Sequence, residues 1–137
     1  MVLNPYSIIS SVRDTAAVFF DVDFTLIQPG PRFQGEGYAD TCRRHGVQVN
    51  PDLFLEAVAA AAGLLDSSDP GYVDALFVSY TGRIIEGMGG RGDGVTGAAR
   101  EIYDDWAEHQ HFELYDDVAA SLSALHAKGL QIGLISN

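Results

Sequence analysis

One cysteine (Cys42) and one lysine (Lys128) occur in the chain, and no run of about eighteen apolar side chains occurs anywhere. The lone cysteine excludes an internal disulfide framework, and it suits the reducing cytoplasm, which is the expected location. The short apolar runs exclude a spanning helix, so no membrane is expected as a partner. Residues 1–14 place no basic patch ahead of an apolar stretch, which is not the pattern of a secretory signal. Basic residues are scarce, 8 against 19 acidic, for a net charge of −11. A chain of that sign repels a phosphate backbone, so nucleic acid is not expected as a partner either. A small phosphorylated ligand stays possible, because a bound cation inverts the local field. The remaining composition is that of a globular domain, with 47% apolar and 20% charged residues in 137.

The apolar residues are arranged with two periods. Ala16-Ala17-Val18-Phe19-Phe20-Asp21-Val22 is a short run of β-formers with a polar end, the pattern of a buried parallel strand. Pro29, Gly30 and Pro31 break the chain after it. From Phe33 to about His111 the spacing is helical, with no convincing strand. One helix carries Tyr38, Ala39 and Cys42 and stops near Gly46. A second starts at Asn50-Pro51, a cap residue followed by proline in the first turn. A third opens at Asp69-Pro70 and carries Leu76, Phe77, Tyr80, Ile84 and Ile85. Gly87 to Gly97 reads as a glycine-rich break, and Ala98 to about Glu108 as a fourth helix. A last helix starts at Asp116 or Asp117 and ends at Lys128-Gly129, and Leu130 to Ile135 reads as a second strand, followed by Ser136-Asn137. A helix feeding a strand is half of a parallel α/β unit.

Ligands of open α/β sheets sit at the carboxyl ends of the strands. Asp21 and Asp23 lie where the first strand ends, Ser136 and Asn137 where the second ends. If the strands pair in parallel, both sets face one crevice. Two aspartates one residue apart can divide the labour of phosphoryl transfer. One attacks phosphorus as an ionised nucleophile, and the other protonates the leaving alkoxide and then activates water. Like-charge repulsion between carboxylate and phosphate calls for a cation, and Mg²⁺ suits an all-oxygen site. The plainer alternative is a turn cap after a strand, with Thr25 bracing it.

Val18-Phe19-Phe20-Asp21-Val22-Asp23-Phe24-Thr25-Leu26 resembles the first motif of the haloacid dehalogenase (HAD)-like hydrolase superfamily. Leu130 to Asn137 resembles the second, an apolar strand closing on Ser or Thr. The helix from Tyr115 to Gly129 is similar to the one that precedes that motif, and the helical insert matches the family's helical (C1-type) cap. The fold this implies is α/β: a partial Rossmann-like core of parallel strands, residues 1–27 and 112–137, with a helical cap, residues 28–111, inserted after the first strand. The resemblance also implies roles. Asp21 is the nucleophile and a Mg²⁺ ligand. Asp23 is the general acid/base, with its carbonyl on the metal, and Ser136, Asn137 and Thr25 hold the phosphoryl group. An acidic residue at position 23 points to a phosphatase of small phosphorylated metabolites. The alternatives are a sugar phosphomutase, which shares both aspartates, and a non-catalytic interaction module.

Two departures from the family stand out. Phe24 occupies a position where the family usually has glycine, so the loop is strained if that position needs a positive φ. The family's later lysine and acidic metal ligands have no counterpart here, since Lys128 precedes the second strand. The expectation is a piece of a longer hydrolase, inactive by itself unless a partner completes it. Oligomeric state is not legible.

Weaker signals have simpler readings. Gly87-Met88-Gly89-Gly90-Arg91-Gly92 matches G-x-G-x-x-G but follows a helical pattern, so a loop between cap helices is expected rather than a dinucleotide site. Arg83 and Arg91 are candidates for an anion contact, against the plainer reading of solvated arginines. His109 and His111 are spaced to point apart, which does not suit zinc. Phe33, Tyr38, Trp106 and Cys42 read as packing residues.

Overall fold

A computed structural model describes residues 15–66 and 74–136. The expected helix start at Asp69-Pro70 and the expected site residue Asn137 lie outside them. By internal contacts the chain divides into two compact units, Met1–Gln28 with Glu113–Asn137, and Pro29–Phe112.

In the first unit, β1 (Ala17–Asp21) pairs in parallel with β4 (Gln131–Ile135). The register sets Phe19 opposite Gly133 and Asp21 opposite Ile135. A Cβ at Gly133 would stand 2.5 Å from the Phe19 ring, so a side chain there would have to push that exposed ring aside. Helix α5 (Val118–Ala127) leads into β4 through a tight reversal. The Gly129 N–H donates to His126 O at 2.9 Å and the Leu130 N–H to Leu125 O at 3.3 Å, with Gly129 at φ +80°. That is the Schellman pattern, and it explains why the helix stops at Lys128-Gly129.

The second unit holds most of the buried side chains. It comprises α1 (Gly35–Arg44), α2 (Phe54–Ala61), α3 (Asp74–Gly87) and α4 (Gly94–Asp105). Each helix buries one stripe: Tyr38, Ala39 and Cys42 on α1; Thr81, Ile84 and Ile85 on α3; Val95, Ala98, Ala99 and Ile102 on α4. These spacings of three and four residues produce a single apolar face on a 3.6-residue turn. The Asn50 side chain accepts from the Asp52 N–H at 3.1 Å, capping the turn at Pro51 that leads into α2.

One expectation is corrected here. The fourth helix starts at Gly94, four residues earlier than expected, because Gly94 and Gly97 are packing residues rather than breakers. A Cβ at Gly94 would collide with the His45 carbonyl, and one at Gly97 would stand 2.8 Å from His45 Nδ1. Close approach of α4 to the end of α1 offsets the roughly 1 kcal/mol that each helical glycine costs. The stretch expected to be free of strands, Phe33 to about His111, holds none among the described residues, and a ribbon of β2 (Ile27–Pro29) and β3 (Phe112–Leu114) flanks it. The Gly30 N–H donates to His111 O at 2.9 Å and the Tyr115 N–H to Leu26 O at 3.1 Å. Those bonds run in opposite sequence senses, which makes the ribbon antiparallel.

An ionic network ties α1 and the turn before it to α4. Glu101 accepts from Arg32 Nη2 at 3.0 Å, pairs with Arg44, and lies 2.7 Å from His45 Nε2 through its other oxygen. Arg32 also pairs with Asp105. The hydrogen bonds from Arg44 and His45 hold the Glu101 carboxyl down at about 2, below its ordinary 4.5. The folded state favours the ionised form, so this stabilisation is complete above about pH 4.5 and drains away as pH falls towards 2. Glu101→Gln is expected to destabilise the chain at pH 7 by about 1–2 kcal/mol, partial exposure trimming the value of charged hydrogen bonds. It is also expected to flatten the loss of stability on acidification. Urea titrations of both proteins between pH 3 and 7 check this, and parallel pH profiles would contradict it.

Candidate functional site

The loop after β1 is wound into a single turn. The Val22 carbonyl accepts from the Thr25 N–H at 3.2 Å, the Leu26 N–H at 2.9 Å and the Ile27 N–H at 3.2 Å. The Phe24 N–H donates to Ile27 O at 2.9 Å, closing the turn from the other side. Leu26 is buried and anchors the loop, while Asp21, Asp23, Phe24 and Thr25 face solvent.

Thr25 Oγ1 donates to Asp21 Oδ2 at 2.9 Å. That bond fixes one carboxylate oxygen and leaves the other facing solvent. Because Asp21 is opposite Ile135, Ser136 follows directly at the same carboxyl edge of the pair, and it too is exposed. The structure therefore brings Asp21, Asp23, Thr25 and Ser136 to one edge of the first unit.

Oxygen chemistry at this edge suits a hard cation. Mg²⁺ needs only one or two protein carboxylates when waters and substrate oxygens fill its remaining positions. The exposed Asp21 carboxylate would be one such ligand. Among the described residues, no cluster of three or more acidic, histidine or cysteine side chains gathers to hold a metal. Lys128 caps α5 ahead of β4, so the length of that strand separates it from Ser136.

Phe24 is the residue whose consequence was least legible. It adopts φ +59°, the only positive φ at a non-glycine position among the described residues, and its ring is 66% exposed. The left-handed conformation costs an L-residue roughly 1–2 kcal/mol. Burial returns little of that cost, and the turn's own hydrogen bonds impose the geometry.

The weaker candidates resolve into packing. Gly87 ends α3, and Gly89 and Gly92 lie between α3 and α4, away from any strand. A Cβ on Gly87 would stand 2.7 Å from that of Ala57, and Gly89 and Gly92 have φ +99° and +97°. Their spacing is therefore that of a helix contact and two tight turns. Phe33 and Tyr38 are buried, and the Phe33 ring stacks on Trp106 at 4.4 Å between centroids. His111 lies 3.9 Å from Asp105 and meets the Phe33 ring edge-on. Burial pushes the Cys42 thiol up to about 11, which makes it a poor nucleophile. No helix among the described residues is long and apolar enough to cross a membrane.

Phe24→Gly is expected to stabilise the chain by up to about 1 kcal/mol, as the relief of strain exceeds the roughly 0.5–1 kcal/mol of extra chain entropy that glycine loses on folding. Denaturant titration checks this, and a loss of stability would mean that the ring makes a contact worth more than the strain. Compared with known proteins, the chain matches no family model and no curated protein.

Proposed function

We propose that the chain carries the nucleophile half of a HAD-like phosphoryl-transfer site acting on a small phosphorylated metabolite. The observation that supports this best is Asp21 at the carboxyl end of β1, braced by Thr25 at 2.9 Å, with Ser136 at the end of the adjacent parallel strand. A turn cap needs the Thr25 bond but has no use for a hydroxyl on the neighbouring strand end.

In this reading the ionised Asp21 oxygen attacks phosphorus and the bond to the leaving oxygen breaks. Asp23 gives its proton to that leaving alkoxide. Asp23, now ionised, then takes a proton from water as the water attacks the aspartyl phosphate. That step frees phosphate and restores both carboxyls. Ser136 and Thr25 donate to phosphoryl oxygens, with Asn137 assigned to the same task. The Asp21 carboxylate and the Asp23 carbonyl would hold Mg²⁺, which would supply charge neutralisation for the phosphoryl group when bound. A phosphomutase uses the same two aspartates and differs in where the phosphoryl group goes next.

A second reading has support of its own. The strain at Phe24, and the placement of Lys128 away from Ser136, fit a HAD-like module that binds without turning over. Both readings place the chain in the cytoplasm, where a single buried thiol is stable.

Mg²⁺ affinity in the presence of inorganic phosphate tests the assignment of Asp21. Asp21→Asn is expected to weaken it at least about tenfold, as removal of a charged ligand does. Asp23→Asn is expected to spare it, because Asp23 contributes a carbonyl. Titration calorimetry reads both, and an unchanged affinity in Asp21→Asn contradicts the assignment. For these 137 residues alone, p-nitrophenyl phosphate turnover is expected to stay at the level of Asp21→Asn, and clear Mg²⁺-dependent turnover would show that no further residues are required.

A further inference from the structure

The helical unit carries a cleft of about 510 Å³, away from the aspartate loop in sequence, and the described residues that line it all belong to that unit. Its floor is small and apolar: Ala57, Ala60 and Ala61 of α2, and Gly87 at the end of α3. Arg83, Glu86 and Arg91 complete the lining. The volume falls in the range of small-molecule sites, and an apolar floor with a few convergent polar groups is their usual composition.

Arg91 sets this cleft apart. Among the described residues Arg32, Arg43, Arg44, Arg83 and Arg100 each reach a carboxylate, and Arg91 reaches none. Its Nη1 instead donates to the Glu86 carbonyl at 2.8 Å and the Gly90 carbonyl at 2.6 Å. These carbonyls belong to the last turn of α3 and the loop that leaves it, so the guanidinium is held in place without having its charge neutralised. A guanidinium has five N–H groups, and the Nε and Nη2 hydrogens remain as a planar fork that matches two oxygens of one oxyanion. Arg83 is paired to Glu86 at 3.1 Å on an exposed helix face. Such a pair is worth only a few tenths of a kcal/mol and yields readily to a ligand. Two arginines against one glutamate leave the lining with one positive charge, on a chain whose net charge is −11.

We propose that this cleft binds a small organic oxyanion, a carboxylate or a phosphate monoester, with Arg91 gripping the charge and the alanine floor covering its apolar body. The inference is independent of the chemistry assigned to Asp21. A compact apolar body with a terminal oxyanion fits. A neutral molecule leaves the Arg91 fork unused, and a bare inorganic anion leaves the floor uncovered.

Amide shifts in the full chain test this, with EDTA present to keep divalent cations off the aspartates. Phenylacetate and phenyl phosphate serve as probes, with benzyl alcohol as the neutral control. Both anions, or one of them, are expected to shift the amides of Ala57–Ala61 and Gly87–Arg91, and the tighter of the two identifies carboxylate or phosphate as the preferred head. Arg91→Gln is expected to weaken that binding at least about tenfold. Arg91 also ties down the end of α3, so a second variant is needed. Ala60→Leu fills the cleft from an exposed helix position, with a residue that favours helix, and is expected to cause the same loss with an unchanged melting temperature. Binding that survives Ala60→Leu, shifts that fall elsewhere, or benzyl alcohol binding as tightly as the anions would each overturn the proposal.

Discussion

The parallel pairing of β1 with β4 is the contact on which the candidate site depends. Asp21 belongs to one end of the chain and Ser136 to the other, and only the backbone ladder puts them at one edge. The register leaves little tolerance. A slip of one residue would reverse the faces of β4 and move Gly133 from beside the Phe19 ring, which a side chain at that place would have to displace. Strand, turn and hydroxyl therefore act together. β1 aims Asp21, the Val22 carbonyl gathers the following amides into a turn, and Thr25 returns to brace the carboxylate.

The two units differ in how they are stabilised. The helical unit has a closed core running from Phe33 through Ile102, reinforced by the Arg32–Glu101–Arg44 network. In the strand-bearing unit, by contrast, Leu26 and Val118 are the only buried apolar side chains among the described residues, while Phe19, Leu134 and Ile135 are each more than 60% exposed. A parallel sheet normally has both faces covered, and two strands by themselves are marginal in water. The helical core and the ribbon of β2 and β3 thus belong to a chain whose chemically suggestive edge is solvent-exposed.

Much of this was legible in the sequence because it depends on local periodicity. The run from Ala16 to Val22 and the run from Leu130 to Ile135 mark the two parallel strands, and the spacings of Tyr38–Cys42 and Ile84–Ile85 mark buried helix faces. The turn at Asn50-Pro51 and the stop at Gly129 follow from capping chemistry. What escaped depends on contacts distant in sequence or on elements too short to show a period. β2 and β3 have three residues each, and one of them contains a proline. The glycines of α4 look like breakers until His45, nearly fifty residues earlier, is seen packed against them. The Glu101 network and the Arg91 cleft join residues that no spacing rule connects. At the site, the aspartates and Ser136 could be placed at strand ends from pattern alone. That Phe24 does adopt a positive φ became visible only with the backbone, although the departure from glycine had marked the position.

The strain at Phe24 and the openness of the edge bear on one claim, that Asp21 and Ser136 together receive a phosphoryl group. Beryllofluoride with Mg²⁺ mimics a phosphorylated aspartate and needs no turnover, so amide resonances of the chain can report the claim directly. The account predicts that adding both reagents shifts the amides of residues 21–25 and of Ser136 in a single saturable process, and that Asp21→Asn abolishes all of these shifts together. Shifts confined to the Asp21 loop with Ser136 unmoved, or the same shifts in Asp21→Asn, would contradict it.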